Sequence, residues 1–208
     1  MNAEKGLMTI LETINQAVFL RLNADLNTAA WKLSLAAATA DYLIYLIPLI
    51  LASLWFWGNE SQRALALKVC VVALVALGIN QLLGIAWPHP RPFMMGLGHT
   101  FIPHVADSSF PSDHVTVFAA IGLTLIFADI RSPAGWTTLS LGVCVAWARI
   151  FLGVHFPLDM VGAVAVAGAV WLGISPVWRR VGDGLTRQTA GLYRALLARP
   201  IALGWIRR

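Results

Sequence analysis

The chain has 208 residues, 58% of them hydrophobic and 12% charged, with a mean hydropathy of +0.72. A soluble domain carries about 25% charged residues, and one soluble core of this length does not absorb so much apolar surface. The excess must face lipid, which sets aside soluble enzymes, disordered segments and disulfide-rich secreted domains.

The net charge of +5 allows nucleic acid or an anionic membrane surface as partner, and its distribution decides. From Arg179 onward there are seven arginines against one acid, Asp183, whereas residues 1–178 carry eight basic and nine acidic groups. A basic tail behind an apolar segment reads as a cytoplasmic membrane flank, not a nucleic-acid site. No protein partner is evident. Cys70 and Cys144 lie in apolar runs without CxxC spacing and are expected as buried free thiols.

In chain order, Met8–Leu20 is apolar but short and interrupted by Glu12 and Asn15. It is expected as an interfacial amphipathic helix, with a sixth span as the alternative. A spanning helix needs about 20 mostly apolar residues. Five runs approach that length: Ala36–Trp57, Ala64–Ala86, a third from near Asp113 to Asp129–Arg131, Ala134–Phe151, and a fifth from Pro157 to Trp178. The tail from Gly184 to Arg208 spaces leucines among arginines, the pattern of a surface-lying helix. The expected fold is an all-α integral membrane protein, a bundle of about five to six transmembrane helices with amphipathic terminal helices. It forms one domain over residues 1–208, with a motif-bearing core at 80–160 and a basic tail at 179–208.

One set of connections holds Arg63, Arg131 and the arginine tail; the other holds the long loop Trp87–Ser112 and the short turn Leu152–Phe156. By the positive-inside rule the first set is cytoplasmic, so the long loop and the short turn share the outer side. Ionisable residues at membrane depth are expensive and mark functional sites, and here they gather on that side. The loop contains Arg91, His99, His104 and Asp107 and ends in Ser112-Asp113-His114; the turn joins Arg149 to His155 and Asp159.

His155 and Asp159 are four residues apart at a helix entrance and fall on one face. A carboxylate accepting the Nδ1 proton fixes the tautomer and leaves Nε2 as nucleophile or base. Arg91 and Arg149 offer planar forks to phosphate oxygens, and the free amides where the third span begins, at Ser112–His114, bind anions. This inventory suits phosphoryl transfer, in which catalysis is mostly positioning and charge stabilisation. Read singly, the members have plainer explanations: a structural His–Asp pair, snorkelling arginines, or loop histidines at 89, 99 and 104. No HExxH or paired-carboxylate spacing points to a metal.

The order and spacing of Arg91-Pro92, Pro111-Ser112-Asp113-His114 and Arg149-x5-His155-x3-Asp159 resemble the three motifs of the type-2 phosphatidic acid phosphatase superfamily. The wider run, with Ser109-Phe-Pro-Ser-Asp-His and Gly153-Val-His-Phe-Pro-Leu-Asp-Met, looks most like its bacitracin-resistance branch, the undecaprenyl-diphosphate phosphatases of the bacterial inner membrane. The resemblance implies His155 as the nucleophile forming a phosphohistidine, Asp159 as its orienting carboxylate and His114 as the acid for the leaving oxygen. Arg91, Ser112 and Arg149 would hold the phosphoryl oxygens. It implies no metal and no other cofactor, a polyprenyl diphosphate lipid as substrate, and a site on the outer, periplasmic face of a multi-pass inner-membrane protein.

Three positions depart from the family pattern. Gly84 stands where the first motif opens with lysine, Asp113 where the second has glycine, and Ala148 where serine precedes the third-motif arginine. His89, His99 and His104 are equal candidates for the missing lysine's contact, and Asp113 must turn away from phosphate or cap the helix. Three other readings stay open at this point: a lipid phosphotransferase, a phosphatidic acid or phosphatidylglycerol phosphate phosphatase, and a non-catalytic protein that binds or transports an anionic lipid.

Overall fold

The computed structural model describes residues 2–207, with side chains from residue 9 onward; Met1 and Arg208, the last arginine of the expected basic tail, lie outside the described residues. All regular structure among the described residues is helical: α1 Asn2–Leu22, α2 Ala30–Tyr42, α3 Leu46–Phe56, α4 Glu60–Ala86, α5 Asp113–Ala128, α6 Pro133–Phe151, α7 Pro157–Leu196 and α8 Ala198–Ala202. The protein is an all-helical, multi-pass membrane bundle. Among the described residues, four stretches are long and apolar enough to cross a bilayer: Ala30–Phe56, Glu60–Ala86, Pro133–Phe151 and Pro157–Leu196.

The fifth expected span is α5, only 16 residues long, about 24 Å at 1.5 Å per residue. It does not need the length of a lipid-facing helix, because α4, α6 and α7 all pack around it. Ten of its residues are buried, so it is apolar on every side, as an axial helix is. Glycines bring α6 close to it. A Cβ at Gly142 would sit 2.8 Å from Phe118 Cβ, and one at Gly122 would strike the Leu139 side chain 2.6 Å away, the small-residue contact by which membrane helices approach.

The helix ends follow local chemistry. Asn59 and Gln62 form a reciprocal capping box on α4. Ser132 accepts from Gly135 N at the start of α6, and Pro133 and Pro157 occupy first-turn positions that lack amide partners anyway. The first span begins six residues earlier than expected, at Ala30, because nothing in Trp31–Leu35 breaks a helix. Pro48 cannot donate to the Ile44 carbonyl, and α2 and α3 meet through a 3₁₀ turn at Leu43–Tyr45.

The tail differs most from expectation. It does not form a separate surface-lying helix from Gly184; α7 continues unbroken to Leu196 over 40 residues. That is about 60 Å, twice a hydrocarbon core of about 30 Å. The buried face is Gly182, Thr186 and Ala190 at helical period, on a helix that packs against α4, followed by Tyr193 against Trp55 and Phe56. The leucines that suggested a lipid face stay outside, with Leu192 at 61% and Leu196 at 72% exposure. Cys70 is half-buried and Cys144 exposed, both as free thiols; the apolar run around Cys144 faces outward, so its expected burial is corrected.

Helix α1 is not among the spanning stretches and leaves Ile10, Leu11, Ile14, Val18 and Leu20 exposed, as an interfacial helix does. Its other face docks where α6 turns into α7. Phe19 packs edge-on against Phe156 at 5.2 Å, and Asn23 Nδ2 donates to the carbonyls of Phe151 (3.0 Å) and His99 (2.9 Å). Asn15 Oδ1 accepts from Leu158 N at 3.0 Å. An amide in the first turn of α7 is thus capped from 143 residues away, where the local N-cap residue, Phe156, has no side-chain acceptor to reach it.

Candidate active site

The long loop and the short turn meet at one end of the bundle. Gly153 makes the turn possible: its φ of +84° is left-handed, and a Cβ there would strike the His99 carbonyl. Phe101 N donates to Leu152 O at 3.1 Å and Thr100 Oγ1 to Gly153 O at 3.4 Å, so the loop and the turn fix one another.

His155 is 3% exposed and Asp159 1%. His155 Nδ1 lies 3.1 Å from Asp159 Oδ2, and the same oxygen accepts from Ser109 Oγ and Phe156 N, each at 2.7 Å. Three donors on one carboxylate oxygen hold the ring as the Nδ1–H tautomer and leave the Nε2 lone pair outward. Burial pushes the His155 imidazole below its ordinary value, with Asp159 opposing and Arg91 adding to the depression. The shift favours the neutral ring, the form in which Nε2 is nucleophilic.

Arg91 is buried beside it. Its Nη1 lies 3.1 Å from His155 Nε2 and donates to Val154 O at 2.9 Å, while Nε pairs with Asp107 at 2.8 Å. Arg149 repeats the pattern on the second histidine, with Nη2 2.8 Å from His114 Nε2 and 3.7 Å from Asp41. Arg149 Nε and Nη1 and Ser112 Oγ are buried without a hydrogen-bond partner among the described residues. Orphaned buried donors are costly and call for an explanation; an anion reaching Arg149 and Ser112 provides one.

These groups converge on a cavity of about 340 Å³ whose wall includes Arg91, His104, Asp113, His114, Arg149 and His155. Ser112 and Asp159 are buried and are not part of that wall. Among the three loop histidines the structure separates what the sequence left equal. Only His104 lines the cavity, its ring 6.1 Å from that of His155. His89 meets Trp87 and Phe110 edge-on and lies 3.7 Å from Glu12, and His99 is exposed, bonded through its backbone to Asn23. Burial and Arg91 lower the His104 imidazole, and its Nδ1 bonds Val105 O. It can therefore donate from Nε2 only when protonated, the form a phosphate oxygen beside it would favour.

Asp113 turns toward α4: Asn80 Nδ2 donates to Oδ1 at 2.8 Å and Gln81 Nε2 to Oδ2 at 3.0 Å. The carboxylate that would repel phosphate is thereby occupied, and Asn80 also reaches Thr116 at 2.9 Å. Sequence reasoning missed Asn80 and Gln81 altogether. It named Asp107 and Ser109 without assigning them their partners Arg91 and Asp159, and it linked no acid to Arg149. The one available signal was the polar pair at 80–81 inside an otherwise apolar span. Gly84 lies against Ser108, whose Cβ would be 3.3 Å from an added Cβ.

The sequence profile of the PAP2 superfamily matches residues 65–183. The chain belongs to the PAP2 superfamily. An Escherichia coli K12 protein that carries the provisional name undecaprenyl-diphosphatase YbjG is 37% identical over 198 residues, 95% of this chain and 100% of its own length. The Bacillus subtilis undecaprenyl-diphosphatase BcrC is 32% identical over 170 residues, 80% of this chain and 87% of its own. Two crystal structures are similar to this fold. The transmembrane PAP2-type phosphatidylglycerolphosphate phosphatase from Bacillus subtilis superposes with a TM-score of 0.60 at 18% identity, over 83% of this chain and 88% of that one. Aquifex aeolicus LpxE gives 0.59 at 20% identity, over 76% and 93%.

Proposed function

We propose that this PAP2 protein is an undecaprenyl-diphosphatase that releases the terminal phosphate of undecaprenyl diphosphate and leaves undecaprenyl phosphate. The observation that carries the reading is the convergence of two arginines and two histidines, one backed by a buried carboxylate, on one cavity of a lipid-embedded bundle. The names of relatives that match most of the chain supply the substrate. They favour it over a phosphotransferase, a glycerolipid phosphatase or a lipid binder, none of which has a specific observation in its support.

Each arginine donates to the imidazole Nε2 that the chemistry needs. A phosphate entering the cavity takes over those N–H donors and frees both nitrogens. His155 Nε2 attacks the terminal phosphorus, a P–N bond forms, and the bond to the bridging oxygen breaks. The electron pair leaves on undecaprenyl phosphate, and His114, which takes a proton from solvent at Nε2 once phosphate has drawn Arg149 away, passes that proton to the leaving oxygen. Water then attacks the phosphohistidine, His114 takes its proton, and the P–N bond breaks to release phosphate and restore His155. Arg91, Arg149 and Ser112 hold the equatorial oxygens, where charge is greatest in the transition state. His104 replaces the contact that lysine makes elsewhere in the family, and Asp113 fixes the first turn of α5.

The test is the purified protein on a panel of undecaprenyl diphosphate, phosphatidic acid and phosphatidylglycerol phosphate, with EDTA and with vanadate. Undecaprenyl diphosphate should give the highest kcat/KM, EDTA should leave it unchanged because the charge is met by guanidiniums, and vanadate should inhibit. Preference for a glycerolipid overturns the substrate, and loss in EDTA restored by Mg²⁺ overturns the metal-free chemistry.

The basic-residue asymmetry orients the bundle in the bacterial inner membrane with the cavity toward the periplasm. In a variant lacking Cys70 and Cys144, cysteine at exposed Val105 should react with an impermeant maleimide in intact spheroplasts. Cysteine at exposed Ser61 should react only after permeabilisation. The reverse pattern would invert the topology.

A further inference from the structure

We propose a second anion site at the other end of the bundle, a basic cavity between α4 and α7 that binds the phosphate group of a phosphate-bearing ligand. The cavity measures about 560 Å³, and Arg63, Arg187 and Arg194 form its cationic wall. Two carboxylates share that wall, Glu60 and Asp183, so three guanidiniums face two acids. Glu60 is already engaged by Arg194 at 3.0 Å, and Asp183 stands four residues from Arg187 on the same face of α7.

Arg63 is the decisive residue. It is 1% exposed and has no carboxylate within 4.0 Å among the described residues. Its partners are neutral: Nε donates to Trp55 O at 2.9 Å, Nη2 to Arg207 O at 2.6 Å, and the guanidinium stacks on Tyr193 at 4.7 Å. Carbonyls and a ring stabilise a cation without cancelling its charge. Its Nη1, and Arg194 Nε as well, are buried without a hydrogen-bond partner among the described residues. A buried, uncompensated guanidinium in a membrane protein is expensive. An anion seated between α4 and α7 removes that cost, because it supplies the missing counter-charge to Arg63 and a bridge between Arg187 and Arg194.

Two sources share this chemistry, an anionic phospholipid headgroup and free phosphate. Basic pockets between helices at the cytoplasmic end of a span are lipid-headgroup sites elsewhere. The site is independent of the chemistry proposed for His155.

The test uses Arg187→Gln, because Arg187 is exposed and makes no hydrogen bond among the described residues, whereas replacing Arg63 would undo its packing on Trp55 and Tyr193. Full-length protein in neutral detergent is melted with dioctanoyl phosphatidylglycerol, with the zwitterionic choline lipid and with inorganic phosphate. Phosphatidylglycerol at a hundredfold excess over Kd should raise Tm by roughly 5–10 °C, the choline lipid far less, and Arg187→Gln should lose most of the rise. Because phosphate also enters the active site, only the part of each rise that Arg187→Gln removes counts. A removable rise with phosphatidylglycerol alone assigns a lipid headgroup; an equal removable rise with inorganic phosphate assigns free phosphate. Rises that are absent, or the same in both proteins, overturn the site.

Discussion

His155→Ala should abolish the phosphoenzyme and lower turnover by at least about 10⁴-fold, the scale seen when a nucleophile is removed from a catalytic set that acts as a unit. The argument is geometric. Nε2 of His155 is the only nucleophilic atom in the cavity backed by a buried carboxylate, which in turn is fixed by Ser109 and the Phe156 amide. Substrate labelled in its terminal phosphate should leave acid-labile label on the wild type in a rapid quench and none on the variant. Asp159→Asn keeps the shape and loses the charge. It also offers an amide that can face Nδ1 as a donor and force the wrong tautomer, and a loss of about 10²–10⁴-fold is expected. Substantial turnover by His155→Ala would remove the covalent mechanism.

His114→Ala should separate from His155→Ala by leaving group. A general acid contributes about 10²–10⁴-fold, and its share grows with the basicity of the oxygen it protonates. On undecaprenyl diphosphate the variant should lose that factor. On an aryl phosphate with a weakly basic leaving group it should retain most of its activity in phosphoenzyme formation, while His155→Ala stays inactive on both. The design follows from the structure, where His114 answers to Arg149 and His155 to Arg91, so one histidine can be removed without dismantling the other's partners. Equal losses of the two variants on both substrates would contradict the division of roles.

The sequence was informative where chemistry is local. Arg91, His114, Arg149, His155 and Asp159 could be put on one side of the membrane from the basic-residue asymmetry, and His155 and Asp159 on one helix face from their spacing. What escaped was whatever depends on contacts between distant segments. Asn80 and Gln81 look like ordinary polar interruptions of an apolar span until α5 is packed against α4 and brings Asp113 to them. The choice of His104 over His89 and His99 rests on how the loop folds back over the turn. In the tail the pattern misled, because leucines draw attention to an apolar face while the helix buries Gly182, Thr186 and Ala190 instead. Small residues let two helix backbones approach closely, so the face that packs need not be the one richest in leucine.

The cap that Asn15 places on α7 also bears on synthesis. The turn carrying His155 is gripped by α1 at Phe151, Phe156 and Leu158, and α1 leaves the ribosome first while that turn emerges near the end. Until the last span is made and inserted, the end of α1 can reach only His99 and Phe151, and Asn15 and Phe19 wait for Leu158 and Phe156. A nascent chain stopped anywhere before α7 therefore carries Arg91, His114 and Arg149 but no assembled nucleophile. Phosphatase activity should appear only after α7 is made, when its first turn joins α1.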